Sequence, residues 1–275
     1  MESSVNEVRL YNLQHLAVRI WRLSRRFAKS FVASHGVRGK WAMLRCLAGC
    51  VLTRLGLPSK SREVNLQFRD LRVTVDVSRY EIFSYWEMWH EAAYEAVPQF
   101  CGKGDFCIVD VGANVGFYAM RRSLIQKDCR IYSFEPSPSA FSRLKRNIEA
   151  NCLSNVEVFN WAIGSHSGFV RFDEAQQSIQ SRISADGKIE VTCKALDDVV
   201  RELNIRRIDT LKINTEGHER FVLEGAKATL AKVARVVLEA HGDTGERSFV
   251  DGRLREAGFR LLGKKGNLVY YERDR

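Results

Sequence analysis

The sequence predicts an α/β protein: a doubly wound, mostly parallel sheet closed by a C-terminal antiparallel hairpin, with an N-terminal helical extension ahead of it. Three observations predict it. From residue 105 onward, short apolar runs alternate with amphipathic helical stretches, the pattern of strands covered on both faces by crossover helices. The first run, Cys107-Ile-Val-Asp110-Val, passes into a turn carrying Gly112 and Gly116 that opens a helix. The segments 259–262 and 267–271 read as a strand pair around Gly263 and Gly266.

The 275 residues are 45 % hydrophobic, with 15 Phe and 5 Trp, enough for the core of one large domain plus an extension. The formal charge of +10 is confined to the start. Residues 9–62 hold twelve Lys and Arg and no acid, whereas the chain from Glu63 onward is balanced. We therefore divide the chain at 1–62, a basic helical extension, and 63–275, the sheet domain. Seven cysteines, an odd number with no CxxC pair, point to a reduced, cytoplasmic protein, and no secretory signal is apparent.

In the extension, Leu10, Leu13, Ala17, Ile20, Leu23, Phe27 and Phe31 recur at spacings of three and four, which predicts a helix over 9–34. Gly36 and Gly39 are expected to interrupt it before a second apolar-basic helix over 41–55. Two readings fit the segment 9–57: a helical layer packed on the domain with its arginines in water, or peripheral contact with an anionic membrane surface at the cytoplasmic face. The apolar stretch 41–57 is broken by Arg45 and Arg54 and is short for a bilayer span.

Alternation from Val64 to Val77 predicts a hairpin, followed by an aromatic-rich helix over 82–100. Sheet strands are expected at 106–111, 130–134, 155–160, 209–214 and 233–239, and helices at 115–127, 138–151, 218–231 and 246–257. The segment 165–193 breaks the alternation and suggests inserted strands near 169–172 and 189–193.

Ligands of open α/β sheets sit beyond the carboxyl ends of the strands, so the chemistry is sought there. Gly112 permits a tight turn and a close approach to the backbone, and free N–H groups at the helix start suit an anion. The turn is not GxGxxG, which argues against a nicotinamide dehydrogenase. A carboxylate at Asp110 suits an ammonium or sulfonium better than a pyrophosphate. Glu135, after the second strand, is placed either to accept from ribose hydroxyls or simply as a charge at a helix start. At the end of the third strand, Asn160 or the backbone at Trp161 could meet an adenine edge, and Trp161 reads equally well as a core aromatic. The fourth strand runs out through Asn214, and the fourth and fifth strand ends carry Glu216, His218, Glu219, Glu239 and His241, an acid–base cluster in one layer.

The blocks Asp110-Val-Gly-Ala-Asn114-Val-Gly116, Phe134-Glu-Pro136, Ala195-Leu-Asp197-Asp198 and Lys212-Ile-Asn214-Thr-Glu216-Gly217 occur in this order. With Glu224-Gly225-Ala226 and Glu239, they resemble the FkbM-type methyltransferase family over about residues 80–245. The resemblance implies a class I, Rossmann-like methyltransferase fold. It also implies S-adenosyl-L-methionine as donor and methylation of a hydroxyl on a sugar, glycan or other small-molecule natural product. It places the cofactor at Asp110, Gly112, Asn114, Gly116 and Glu135. One departure is Asn214, where the family usually has Asp. An aliphatic hydroxyl needs a general base or a metal. Glu216 or His241 is the expected base, with His218 in reserve. No spacing clearly encodes a metal site, although a Glu216–Glu239 pair leaves that open. A degenerate, non-catalytic cofactor-binding module is the rival that Asn214 motivates. An RNA methyltransferase is disfavoured, because the body is neutral and the basic segment lacks an RNA-binding motif.

Overall fold

The computed structural model describes residues 24–25, 27–28, 31–32, 36–55, 63–68, 71–89, 91–101, 104–175 and 181–274. The helix expected over 9–34 lies largely outside these residues. Of its apolar stripe, Phe27 and Phe31 are half-buried against the main core with their rings 6.0 Å apart.

Helix α1 (Gly36–Arg54) includes the two glycines expected to precede it. A helical glycine costs about 1 kcal/mol. Burying Met43 and Cys46, each at 2 % exposure or less, offsets this, since a large apolar side chain contributes about 1.5–3 kcal/mol. The hairpin β1 (Glu63–Phe68) and β2 (Leu71–Asp76) pairs in register from Glu63↔Asp76 to Phe68↔Leu71. Its open edge is closed by side chains: Asn147 and Asn151 each both accept from and donate to the backbone, at Thr74 and Arg72 respectively, which satisfies groups an edge strand otherwise leaves to water.

The helix expected over 82–100 is broken. Helix α2 (Glu81–Trp89) ends before Ala92, which takes the left-handed conformation at φ 46°, and a 3₁₀ turn over Ala93–Glu95 precedes the short α3 (Pro98–Cys101). Proline cannot continue the preceding helix's hydrogen bonding, so the aromatic run folds as three pieces.

The main sheet has seven strands: β3 (Cys107–Val111), β4 (Arg130–Phe134), β5 (Val156–Phe159), β10 (Ile208–Ile213), β11 (Val233–Glu239), β12 (Phe259–Lys265) and β13 (Leu268–Arg273). Their order is β12-β13-β11-β10-β3-β4-β5, with β13 antiparallel between its neighbours and the others parallel. The expected doubly wound sheet and closing hairpin are both present. The chain leaves β3 toward β4 and β5 and then crosses back to β10, so a topological switch point falls between β3 and β10. Helices α4 (Phe117–Ile125) and α5 (Pro138–Ala150) lie on the face of Ile108, Ile131, Val237 and Tyr270. On the opposite face, Val109, Tyr132, Leu211, Val236 and Tyr271 meet α6 (Leu196–Glu202), α7 (Glu219–Glu224) and α8 (Thr244–Glu256).

The insertion is larger than expected. Strands β6 (Ala162–Gly164), β7 (Gly168–Asp173), β8 (Arg182–Ile183) and β9 (Ile189–Ala195) form a separate sheet in the order β6-β9-β7-β8. Helix α7 stops earlier than the periodicity predicts. A Cβ at Gly225 would lie 2.0 Å from the Gly164 carbonyl oxygen, so the chain passes there without a side chain against β6.

A buried ion pair ties the first helical layer to α5. Arg143 donates from Nε and Nη2 to Glu81 Oε1 at 3.0 and 2.7 Å, while Glu81 Oε2 accepts the Asp76 N–H at 2.7 Å. Glu81 is fully buried, so removing one partner strands a charge. Replacing Arg143 with Met is expected to lower unfolding free energy by ~3–5 kcal/mol, measured by urea unfolding. A loss below ~1 kcal/mol would mean the pair does not brace these elements.

Candidate functional site

At the carboxyl ends of β3, β4, β10 and β11 lies a cleft of about 390 Å³, lined also by α2 and by the inserted sheet. Its floor begins with a buried ion pair. Asp110 and Lys212 face each other across β3 and β10, at 0 % and 4 % exposure. Lys212 Nζ lies 2.9 Å from Asp110 Oδ1 and donates to the Val111 and Gly112 carbonyls at 3.3 and 2.6 Å. The lysine therefore links the strand to the turn that follows it.

That turn is fixed from both sides. Gly112 and Ala113 donate their N–H groups to the Phe134 carbonyl, and Asn214 donates its own to Val111. Gly112 has φ +75°, and a Cβ there would sit 1.7 Å from the Asn214 carbonyl oxygen. Only glycine lets β10 approach this closely. Asn114 also adopts a left-handed φ of 50°, which asparagine tolerates. Gly116, with φ +94°, begins α4.

Glu135 ends β4 with its carboxylate accepting the Asn114 and Ser137 N–H groups at 2.8 and 2.9 Å. Burial pushes its pKa up to about 7, against the lowering effect of those hydrogen bonds. Asn160 Nδ2 donates to the Glu135 and Pro136 carbonyls, holding this strand end from behind. Trp161 packs on Phe159 and Phe134, with centroids 4.7 and 6.1 Å away, and still lines the cleft.

The acid–base cluster lies across the cleft. His241 Nδ1 is 3.2 Å from Glu219 Oε1, and Nε2 is 3.4 Å from Glu216 Oε2 and 3.6 Å from Glu239 Oε1. Burial opposes charge on His241, but the Glu219 hydrogen bond and the three carboxylates outweigh it and lift its pKa to about 9. Burial lifts Glu216 to about 7, with Glu239 and Glu219 adding to the rise and His241 opposing it. Glu216 takes φ +54°, a conformation that persists in a non-glycine residue only when its surroundings impose it. His218 lines the cleft against Phe221, and burial lowers its pKa.

Of the residues expected to hold a cofactor, Gly112, Asn114, Glu135 and Trp161 line the cleft. Asp110, Gly116 and Asn160 do not, although Asn160 holds the lining residues Glu135 and Pro136 through their carbonyls. Glu216, His218 and His241 all line it. Lys212 was missed as a functional residue, because a lysine inside an apolar strand gives no sign of its partner until the register is known. Tyr94 was missed too: its hydroxyl accepts from Asn214 Nδ2 at 3.1 Å, while the same amide donates to Glu239 Oε2 at 2.9 Å. The aromatic-rich segment after the hairpin and the inserted strands also line the cleft, through Phe83, Ser84, Glu87 and Glu91 and through Phe172 and 181–183.

The residues present fit a charged nucleoside. The Asn114 and Asn214 side-chain oxygens are buried without a hydrogen-bond partner, acceptors suited to an ammonium, and each Glu135 oxygen keeps a lone pair for ribose hydroxyls. A seven-stranded sheet in this order, with such a site at its switch point, defines a class I methyltransferase. The sequence profile of the Methyltransferase FkbM domain matches residues 110–261, and the chain belongs to that family, carrying its S-adenosylmethionine-dependent methyltransferase domain.

Among the relatives, methyltransferase sdnD of Sordaria araneosa is 28 % identical, over 55 % of this chain and 73 % of its own length. The hexuronic acid methyltransferase AglP of Haloferax volcanii is 27 % identical, over 50 % of this chain and 56 % of its own length. The 31-O-demethyl-FK506 methyltransferase FkbM of Streptomyces tacrolimicus is 25 % identical, over 68 % of this chain and 84 % of its own length.

The Gly112 turn yields a direct test. Gly112→Ala is expected to abolish binding of S-adenosylhomocysteine in calorimetry and to lower stability by more than ~1–2 kcal/mol, the left-handed strain alone. Wild-type binding by this variant would show that the turn and Asn214 can separate freely.

Proposed function

We propose that this protein transfers the methyl group of S-adenosylmethionine to a hydroxyl of a sugar, glycan or other small natural-product acceptor, with Glu216 as general base. The observation that carries this reading is the placement of Glu216 in the cleft, in an imposed left-handed conformation and with a pKa raised to about 7, beside an imidazole that stays charged. Relatives named for 2-O-methylation and 31-O-methylation support a hydroxyl acceptor, and one named for hexuronic acid supports a sugar. Residues 63–275 form the catalytic unit in this reading, and 1–62 the extension.

When bound, S-adenosylmethionine supplies an electrophilic methyl group on a sulfonium. Asn114 and Glu135 hold it, with Gly112 giving backbone access and Trp161 completing the wall; Asp110, Gly116 and Asn160 keep those groups in place. Glu216 would take the proton of the acceptor hydroxyl and so make its oxygen the nucleophile toward that methyl group. His241, charged below about pH 9, steadies the Glu216 carboxylate and is not itself the base; His218 stands in reserve at the cleft wall. Asn214 orients Glu239 and Tyr94 as a hydrogen-bond donor, a task for which an amide suffices, and this favours an active enzyme over a degenerate binding module.

Turnover is expected to rise with pH through about 7 as Glu216 loses its proton, and to fall near 9 as His241 loses its own. In Glu216→Gln it drops roughly 10²-fold or more and the acidic limb disappears, measured on a panel of methyl glycosides. Unchanged turnover would remove Glu216 from the role. Affinity for S-adenosylhomocysteine in calorimetry rises between pH 6 and 8, because ribose hydroxyls favour the ionised Glu135, and is lost in Glu135→Ala. Binding that Glu135→Ala leaves intact would place the nucleoside elsewhere.

We further propose peripheral contact of α1 with an anionic membrane surface. Among the described residues no helix is long and apolar enough to cross a membrane. The outward face of α1 nevertheless presents Trp41, 64 % exposed, with Leu44, Leu47 and Val51, and Leu55 follows just past the helix end at 65 %. Arg38, Lys40 and Arg45 are exposed on the same helix, which carries no acid. Such a surface suits an interfacial helix. Co-sedimentation with phosphatidylglycerol vesicles is expected to exceed that with phosphatidylcholine and to fall in Trp41→Ser/Val51→Ser. Equal recovery in all arms would remove this reading.

A further inference from the structure

We infer that Glu219 is the positioning residue of this site: its carboxylate turns the His241 imidazole toward the cleft and holds the turn that presents Glu216. The inference rests on the methyl-transfer reading above. Glu219 opens α7 at 3 % exposure. A single oxygen, Oε1, gathers four donors. It accepts the Thr215 N–H and hydroxyl, both at 3.1 Å, the Gly217 N–H at 3.2 Å and His241 Nδ1 at 3.2 Å.

Three of these contacts fall on Thr215 and Gly217, the residues on either side of Glu216. They pin the turn before and after the one residue whose backbone is forced to φ +54°. The fourth fixes the imidazole. With Nδ1–H donating to Glu219, Nε2 faces Glu216 and Glu239. A side chain that hydrogen-bonds the far nitrogen of a catalytic imidazole sets its tautomer and orientation, as the third member of a triad does.

The charges around His241 come from every side. Glu219 belongs to α7, Glu216 to the turn, and Glu239 to the end of β11, where Asn214 and, through it, Tyr94 restrain it. Lys212 lies behind and draws Glu216 down. Glu219 is the member that remains ionised most firmly: burial opposes its charge, but His241 and the backbone donors hold its carboxyl below the usual range. It touches neither the acceptor nor the donor in this scheme, and acts through His241 and the turn.

The experiment uses the full chain with Glu219→Gln, which keeps the side chain's size and loses its charge. Nitrogen-15 NMR of the imidazole follows His241, and steady-state kinetics use the best methyl glycoside found for the wild type. His241 is expected to titrate near pH 9 in the wild type and about one unit or more lower in the variant. The alkaline limb of turnover moves with it, and kcat falls about tenfold or more while KM for S-adenosylmethionine changes little, the pattern of a lost orienting group. Adding His241→Gln to Glu219→Gln then costs far less than the product of the two single losses.

An unshifted imidazole, a shifted imidazole with unchanged kcat, or strictly multiplicative losses would each overturn the inference. The imidazole is read without acceptor. If no glycoside is turned over, an unshifted titration still overturns the positioning role and a shifted one sustains it, while the hydroxyl-acceptor reading alone falls.

Discussion

The site is built on one buried ion pair. Lys212 and Asp110 meet at the centre of the parallel sheet, across the strands between which the topology reverses. A buried lysine is tolerated only when its charge is matched and its protons are used. Here Asp110 Oδ1 matches the charge at 2.9 Å, and the Val111 and Gly112 carbonyls accept hydrogen bonds from the ammonium. That demand for satisfaction fixes where β3 ends and how its turn begins. The turn in turn presses against the Asn214 backbone, and Asn214 leads directly into the residues of the acid–base cluster. The Gly112 turn and the acid–base cluster on opposite sides of the cleft are therefore set by the same two strands.

Across the cleft the electrostatics work by competition. Three carboxylates converge on one imidazole, and none of them is paired one to one. Burial favours neutral forms and proximity favours opposite charges. The outcome is a charged His241, a firmly ionised Glu219 and a Glu216 poised between its two forms. Asn214 supplies a neutral donor beside Glu239. An aspartate at this position would add another acceptor where the structure uses a hydrogen, and it would bond Glu239 only by sharing a proton with it. The departure from the family pattern thus fits the company that residue keeps.

Much of this was legible in the sequence, for physical reasons. Strands buried on both faces read as continuous apolar runs, so β3, β4, β10 and β11 stood out to within a residue or two. The glycine turn, the strand-end acid Glu135 and the cluster of Glu216, Glu219, Glu239 and His241 followed from their positions after those strands. What stayed hidden depended on register or on three-dimensional approach. The partner of Lys212 depends on the register that lays its strand beside Asp110. Asn160 looked like a ligand contact because its distance from the cleft is set by a side-chain bond to the Glu135 backbone. Gly36 and Gly39 looked like a break because local propensity knows nothing of Met43 and Cys46 packing below. The inserted sheet was half-seen, since β6 is three residues long and pairs with a strand far along the chain.

Strand β13 has a consequence for how the molecule comes into being. It pairs on one side with β11 and on the other with β12, and Tyr270 and Tyr271 are among the largest fully buried side chains. During synthesis, every strand it joins leaves the ribosome before it does. Until residues 268–273 emerge, β11 keeps an open edge beside the cleft and two aromatic-sized hollows remain on the two faces of the sheet. The nascent domain is thus held short of completion, with an unpaired edge that a chaperone or another nascent chain can reach.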